Sequence, residues 1–92
     1  MTLPNDWEAL RDGVLHVLER CRGLFPEDRR LNFVDYVYAG EWGLALEDAC
    51  SNLGDFDALV GDELFAEIEQ LGVRMGLRDD YWKRLRRTPY RG

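Results

Sequence analysis

Apolar residues recur at helical spacing along most of the chain, and no segment shows sustained alternation of period two. The pattern therefore predicts helices and no sheet. In the first helix, Trp7, Leu10, Val14, Val17, Leu18 and Cys21 share one face, with Asn5 as N-cap, Glu8 in capping-box position and Gly23 as the stop. His16 lies opposite that stripe and is expected in solvent. A second helix is predicted from Pro26 to Ala39, ending at Gly40. Its apolar arc is broad (Leu31, Phe33, Val34, Tyr36, Val37, Tyr38). An arc of that width predicts packing on two sides and a central place in the fold.

The third helix follows with almost no loop. Trp42, Ala45, Leu46, Ala49, Cys50 and Leu53 form its inner stripe, and Gly54 is its expected end. Leu44 falls on the outer face beside Glu47, Asp48 and Ser51, either covered by another helix or left as an exposed apolar contact. Residues 55–61 read as the longest irregular stretch. Asp62 then caps a fourth helix with the stripe Leu64, Phe65, Ile68, Leu71 and Met75, ended by Gly76. Gly72 lies on that stripe, where it would let another helix approach closely. A short fifth helix begins at Asp79 or Asp80, carries Tyr81, Trp82 and Leu85, and is stopped by Pro89. The predicted fold is all-α: a compact bundle of about five helices, the last one short, in a single domain over residues 1–92.

Charge adds what the stripes do not show. The 92 residues carry a net charge of −6, unevenly spread. Residues 31–73 hold ten acids and no Lys or Arg, whereas residues 83–92 hold five bases and no acid. An acidic body repels nucleic acid and attracts basic surfaces. The basic stretch, including the tail at 86–92, is expected either to be flexible or to fold back on the acidic body. With Tyr81, Trp82 and Tyr90 it is the one foothold for stacking on bases, and the negative bulk field argues against direct nucleic-acid binding. No apolar run approaches the length of a membrane span, and residues 1–6 do not read as a signal peptide.

Catalytic and metal chemistry find little to work with. Cys21 and Cys50 both fall on helix stripes and read as buried free thiols. A single His and no CxxC leave no zinc site. Asp55 and Asp57 start like a calcium loop, but Leu59 stands at the third ligand position and Val60 where the loop needs Gly. GxGxxG, P-loop and HExxH motifs are absent, and the single surface His leaves the Cys–His and Ser–His–Asp schemes without a base. Carboxylates are plentiful enough for a glycosidase-like acid pair, but a chain this small has little room for the cleft such a pair needs. The expectation is a protein that is not an enzyme and uses no metal and no cofactor.

From Phe25 onward the residues form recognisable blocks. Phe25-Pro26-Glu27 and Val34 to Val37 are followed by Ala39-Gly40-Glu41-Trp42-Gly43-Leu44-Ala45-Leu46-Glu47, then Glu63-Leu64, Ile68, Leu71-Gly72, Met75-Gly76-Leu77 and Tyr81-Trp82. Over residues 24–86 the chain resembles the MafI family of bacterial immunity proteins, which protect cells from polymorphic toxins of neighbouring or sibling cells. The resemblance implies a cytoplasmic protein that binds a toxin domain encoded beside it, often a nuclease, and blocks it. The alternatives are an acidic helical adaptor for a basic partner unrelated to toxins, or a DNA-mimic regulator of a nucleic-acid-binding protein.

Binding hot spots tend to be aromatic or apolar anchors ringed by charge. The partner-binding candidates lie at the corner of the second and third helices and in the loop after them. They are Asp35, Tyr36, Glu41, Leu44, Glu47, Asp48, Asp55, Phe56 and Asp57. Each carboxylate has a plain alternative as a solvated surface residue. Phe56 is expected to tuck into the core more readily than to anchor a partner. Of Tyr36 and Tyr38, the helical wheel favours Tyr36 as the partly exposed one. Trp42 and Trp82 read first as core.

Overall fold

In the computed structural model, which describes residues 3–87, five helices follow one another. They are α1 (Leu3–Arg20), α2 (Glu27–Tyr38), α3 (Trp42–Asp55), α4 (Asp62–Arg74) and the four-residue α5 (Asp80–Lys83). The only β-type pairings among the described residues are isolated bridges, Arg22 with Phe25 and Val60 with Arg87. The fold is all-α, as the apolar periodicity predicts.

The helix ends differ from expectation in several places. α1 stops at Arg20, before Gly23, and α4 has Gly61 and not Asp62 as its N-cap. α5 ends at Lys83, so Leu85 lies outside it and Pro89 does not stop it. α1 begins at Leu3, so Asn5 lies within its first turn and is not its cap. Pro4 does not prevent the earlier start, because a first-turn N–H has no helical partner to lose. α3 runs one residue past Gly54, to Asp55. It ends in a Schellman motif, in which Asp57 N–H reaches the Gly54 carbonyl at 3.0 Å and Ala58 N–H the Leu53 carbonyl at 2.9 Å. Asp57 takes the left-handed position with φ 54°, which aspartate tolerates better than most residues. α2 and α4 end in the same motif with Gly40 (φ 78°) and Gly76 (φ 72°) in that role.

α3, not α2, is the central element. It packs against all four other described helices, whereas α2 touches only α1 and α3. Ala45, Leu46, Ala49, Cys50, Asn52 and Leu53 of α3 are buried. The broad apolar arc of α2 is not buried as a whole: Phe33 and Val37 enter the core with Arg30, while Leu31, Tyr36 and Tyr38 are exposed. Among the described residues nothing packs on the second side of α2, so half its arc faces outward. Arg30 can be buried because Glu27, one turn earlier, accepts from its Nε at 2.9 Å and also from Nη2.

Both cysteines are buried free thiols. Trp7 departs from the inner stripe: it is exposed and stacks on Trp42, with ring centroids 5.3 Å apart. Trp82 is almost fully buried over Gly72. A Cβ built at position 72 would lie 2.6 Å from Cη2 of that indole, so the glycine supplies the space the ring occupies. The close approach expected at Gly72 is therefore made by α5, and it fixes where the neighbouring Tyr81 stands.

Candidate functional site: an acidic groove along α3

The outer face of α3 is uncovered. Leu44, Asp48, Ser51 and Asp55 follow one another at spacings of three and four residues, with Glu47 three residues after Leu44 and four before Ser51, which places them on one helical face. α2 flanks this face with Tyr36, and α5 flanks it with Tyr81. Tyr36, Leu44, Glu47, Asp48, Ser51 and Tyr81 together line an open concavity of about 260 Å³. Ser51 also lines a second one of about 290 Å³, together with Cys50, Gly54, Asp55 and Arg84. The two share a wall, and the floor from Leu44 to Asp55 is about 16 Å long at the helical rise. Leu44 is 46% exposed there, an apolar contact that no described helix covers.

The fold distributes the ten acids of residues 31–73 into two groups. Four are matched by groups from outside that segment. Glu63 pairs with Arg20 at 3.1 Å, Glu67 contacts His16 at 2.5 Å, Asp57 pairs with Arg86 and Asp62 pairs with Arg87 at 2.8 Å. Asp35, Glu41, Glu47, Asp48, Asp55 and Glu69 make no ion pair among the described residues. Five of these six lie on α2, on α3 or in the turn between them. Neutralisation is thus concentrated at α4 and the loop before it, and the remaining negative field gathers around the α3 groove.

Asp48 is the most constrained of these carboxylates. Burial pushes its pKa up, and the positive charge of Arg29 partly offsets that. The buried Asn52 side chain donates to the Asp48 backbone carbonyl at 3.0 Å and to its Oδ2 at 3.3 Å. Arg29 in turn donates to Asn52 Oδ1 at 3.5 Å and lies over the Phe56 ring. Asn52 thereby holds Asp48 toward the groove while its own polar atoms stay satisfied.

The nine residues selected from sequence do not form one patch. Tyr36, Leu44, Glu47 and Asp48 meet in one concavity, and Asp55 joins the groove at its far end. Asp57 is turned to Arg86 and is held by the helix end, not by a free loop. Phe56 does not enter the core; it is 43% exposed under Arg29. Asp35 and Glu41 are exposed and line neither concavity. Tyr38, at 85%, is more exposed than Tyr36, at 37%, because α2 turns Tyr36 toward the α3 side. Sequence reasoning missed Tyr81, Ser51 and Asn52. Ser51 was readable from its spacing to Leu44 and Glu47, whereas nothing local places Tyr81 beside Leu44.

The basic end of the chain folds back as far as it is described. Val60 N–H donates to the Arg86 carbonyl at 2.8 Å, and the Arg87 guanidinium lies 4.2 Å from the Phe65 ring centroid. Pro89, Tyr90 and Arg91 lie outside the described residues. Among the described residues, no group of three or more His, Cys, Asp or Glu is placed to hold a metal. No described helix is long and apolar enough to cross a membrane. No protein-family model, no curated protein and no solved structure matches the chain.

Proposed function

We propose that the protein is an immunity protein of the MafI type, a cytoplasmic, cofactor-free stoichiometric inhibitor. It binds the toxin domain encoded beside it, a nuclease in the leading form, through the acidic surface of α2 and α3. The observation that carries this reading is the unequal neutralisation of the acids, which leaves unpaired carboxylates around an exposed apolar and aromatic groove. A nuclease presents a cationic surface to phosphate, and such a surface is complementary to this face in sign. Opposite fields raise the association rate, which suits an inhibitor that must act before damage is done. The resemblance of residues 24–86 to the family supports the same reading from a separate direction.

One observation favours the adaptor reading. Leu31 and Tyr38 lie seven residues apart on one side of α2, 52% and 85% exposed, roughly opposite Tyr36 on the helical wheel. That face offers apolar contact away from the groove.

The deciding experiment is co-purification with the C-terminal domain of the protein encoded immediately upstream, followed by calorimetry and stopped-flow mixing at low and physiological salt. The immunity reading expects a tight one-to-one complex whose association slows with salt. A folded protein that forms no complex overturns it and moves the weight to the adaptor. An association rate indifferent to salt removes the steering argument.

A further inference from the structure

We propose that the concavity between Tyr36 and Tyr81 is a receptor for a single arginine side chain presented by a protein partner. The guanidinium would lie between the two aromatic rings against Glu47 and Asp48, and its aliphatic stem would lie on Leu44. This deepens the reading of the protein as a binder of a basic protein surface and rests on that part of it. It does not require the partner to be a toxin.

Four observations select this occupant. The lining combines two tyrosines from different helices with an exposed leucine and two carboxylates adjacent in sequence. At about 260 Å³ the concavity is below the usual range of small-molecule pockets and suits one long side chain. Neither Glu47 nor Asp48 makes an ion pair among the described residues, although the charge of Arg29 reaches Asp48 from a distance. Finally, Asn52 fixes Asp48 from below, so the acceptor is oriented before anything binds. Arginine satisfies all of these together. Its planar guanidinium stacks on aromatic faces and donates to carboxylates in one geometry, and it sheds water more easily than an ammonium does. Its methylene stem covers apolar surface. Lysine matches the charge but not the flat stacking shape.

The test is an NMR titration of the whole protein with N-acetyl-arginine N-methylamide, beside the matched lysine compound at constant ionic strength. Saturable shifts are expected at the amides of residues 44–51 and in the ring signals of Tyr36 and Tyr81, with the lysine compound binding several-fold more weakly. Tyr36→Ala and Asp48→Asn should each weaken the arginine compound by about two- to fivefold, the scale of one exposed cation–π contact. Glu69→Gln removes an equally unpaired carboxylate on α4 and should change nothing. The melting temperature of each variant confirms folding. Shifts that fail to saturate, equal binding of the lysine compound, or an equal loss in Glu69→Gln would each overturn the proposal. Failure here is distinct from failure of the toxin reading. A complex with the upstream domain that survives Tyr36→Ala and Asp48→Asn unchanged keeps the immunity reading and removes the arginine receptor. Saturable arginine binding without any upstream complex does the reverse.

Discussion

Replacing Gly72 with alanine is the sharpest test of how the groove wall is built. Two effects of opposite sign compete. Alanine in place of glycine within a helix stabilises by about 0.5–1 kcal/mol, because glycine loses more backbone freedom on folding. Against this, the added Cβ would stand 2.6 Å from Cη2 and 2.9 Å from Cε3 of Trp82, and closer still to Cζ3. Carbon atoms pack at about 3.5–4.0 Å. The clashing group is a rigid ring almost wholly buried, so it cannot swing away as a flexible chain end would. Overpacking of this kind costs about 1–3 kcal/mol, and more if the indole is expelled. Contacts this far inside the packing distance place the steric cost at the upper end of that range or beyond it, so the steric term wins, with an expected net loss of about 2 kcal/mol. For a domain of this size that lowers Tm by about 8–16 °C. Thermal and urea unfolding followed by tryptophan fluorescence measure it. Gly54→Ala is the internal control: nothing lies within 4 Å of its added Cβ, so only the helical gain remains and stability should hold or rise. If Gly72→Ala is as stable as the parent, α5 does not dock through Trp82 on Gly72, and the placement of Tyr81 in the groove falls with it.

Three further predictions address charge and thiols. Glu47→Lys combined with Asp48→Lys should weaken partner binding in calorimetry while leaving helicity by circular dichroism unchanged; normal binding would remove the α3 face as the interface. Burial pushes both Cys21 and Cys50 up to about 12 from 9.0, so the unfolded thiols ionise first as pH climbs. Stability from this source is complete below pH 9 and lost toward pH 12, by at most about 4 kcal/mol per thiol. Cys21→Ala and Cys50→Ala should each flatten that alkaline slope, and the native thiols should resist a thiol reagent at neutral pH until urea is added. The hydrogen bond from Arg30 holds the Glu27 carboxyl below its usual 4.5. Its contribution is present above that pH and disappears as the pH falls through the depressed value, so Glu27→Gln should give a shallower acid denaturation curve.

The helices and their ends were legible because the forces that make them are local. Apolar stripes at helical spacing located all four long helices, and glycines marked the ends of α2 and α4. The boundary differences at the start of α1 and the end of α3 are local as well. Pro4 is tolerated in a first turn, and Asp57 takes a left-handed position usually left to glycine. The outer-face place of Leu44 among carboxylates was also visible, since it follows from spacing alone, whereas its exposure was left open by the sequence and is settled only by the packing.

What the tertiary structure alone decided is which side of each helix meets a neighbour and which charge is cancelled. The arc of α2 permits burial on either side, and only the packing of α1 and α3 against it buries Phe33 and Val37 and leaves Leu31 and Tyr38 outside. The acids of residues 31–73 look alike in sequence. They are separated by contacts 51, 43 and 29 residues long, His16 to Glu67, Arg20 to Glu63 and Arg86 to Asp57. Helical periodicity reaches only a few residues along the chain. Pairings of that length arise only when α1 and the end of the chain close on α4 and the loop before it, and that closure leaves the α3 groove as the acidic face.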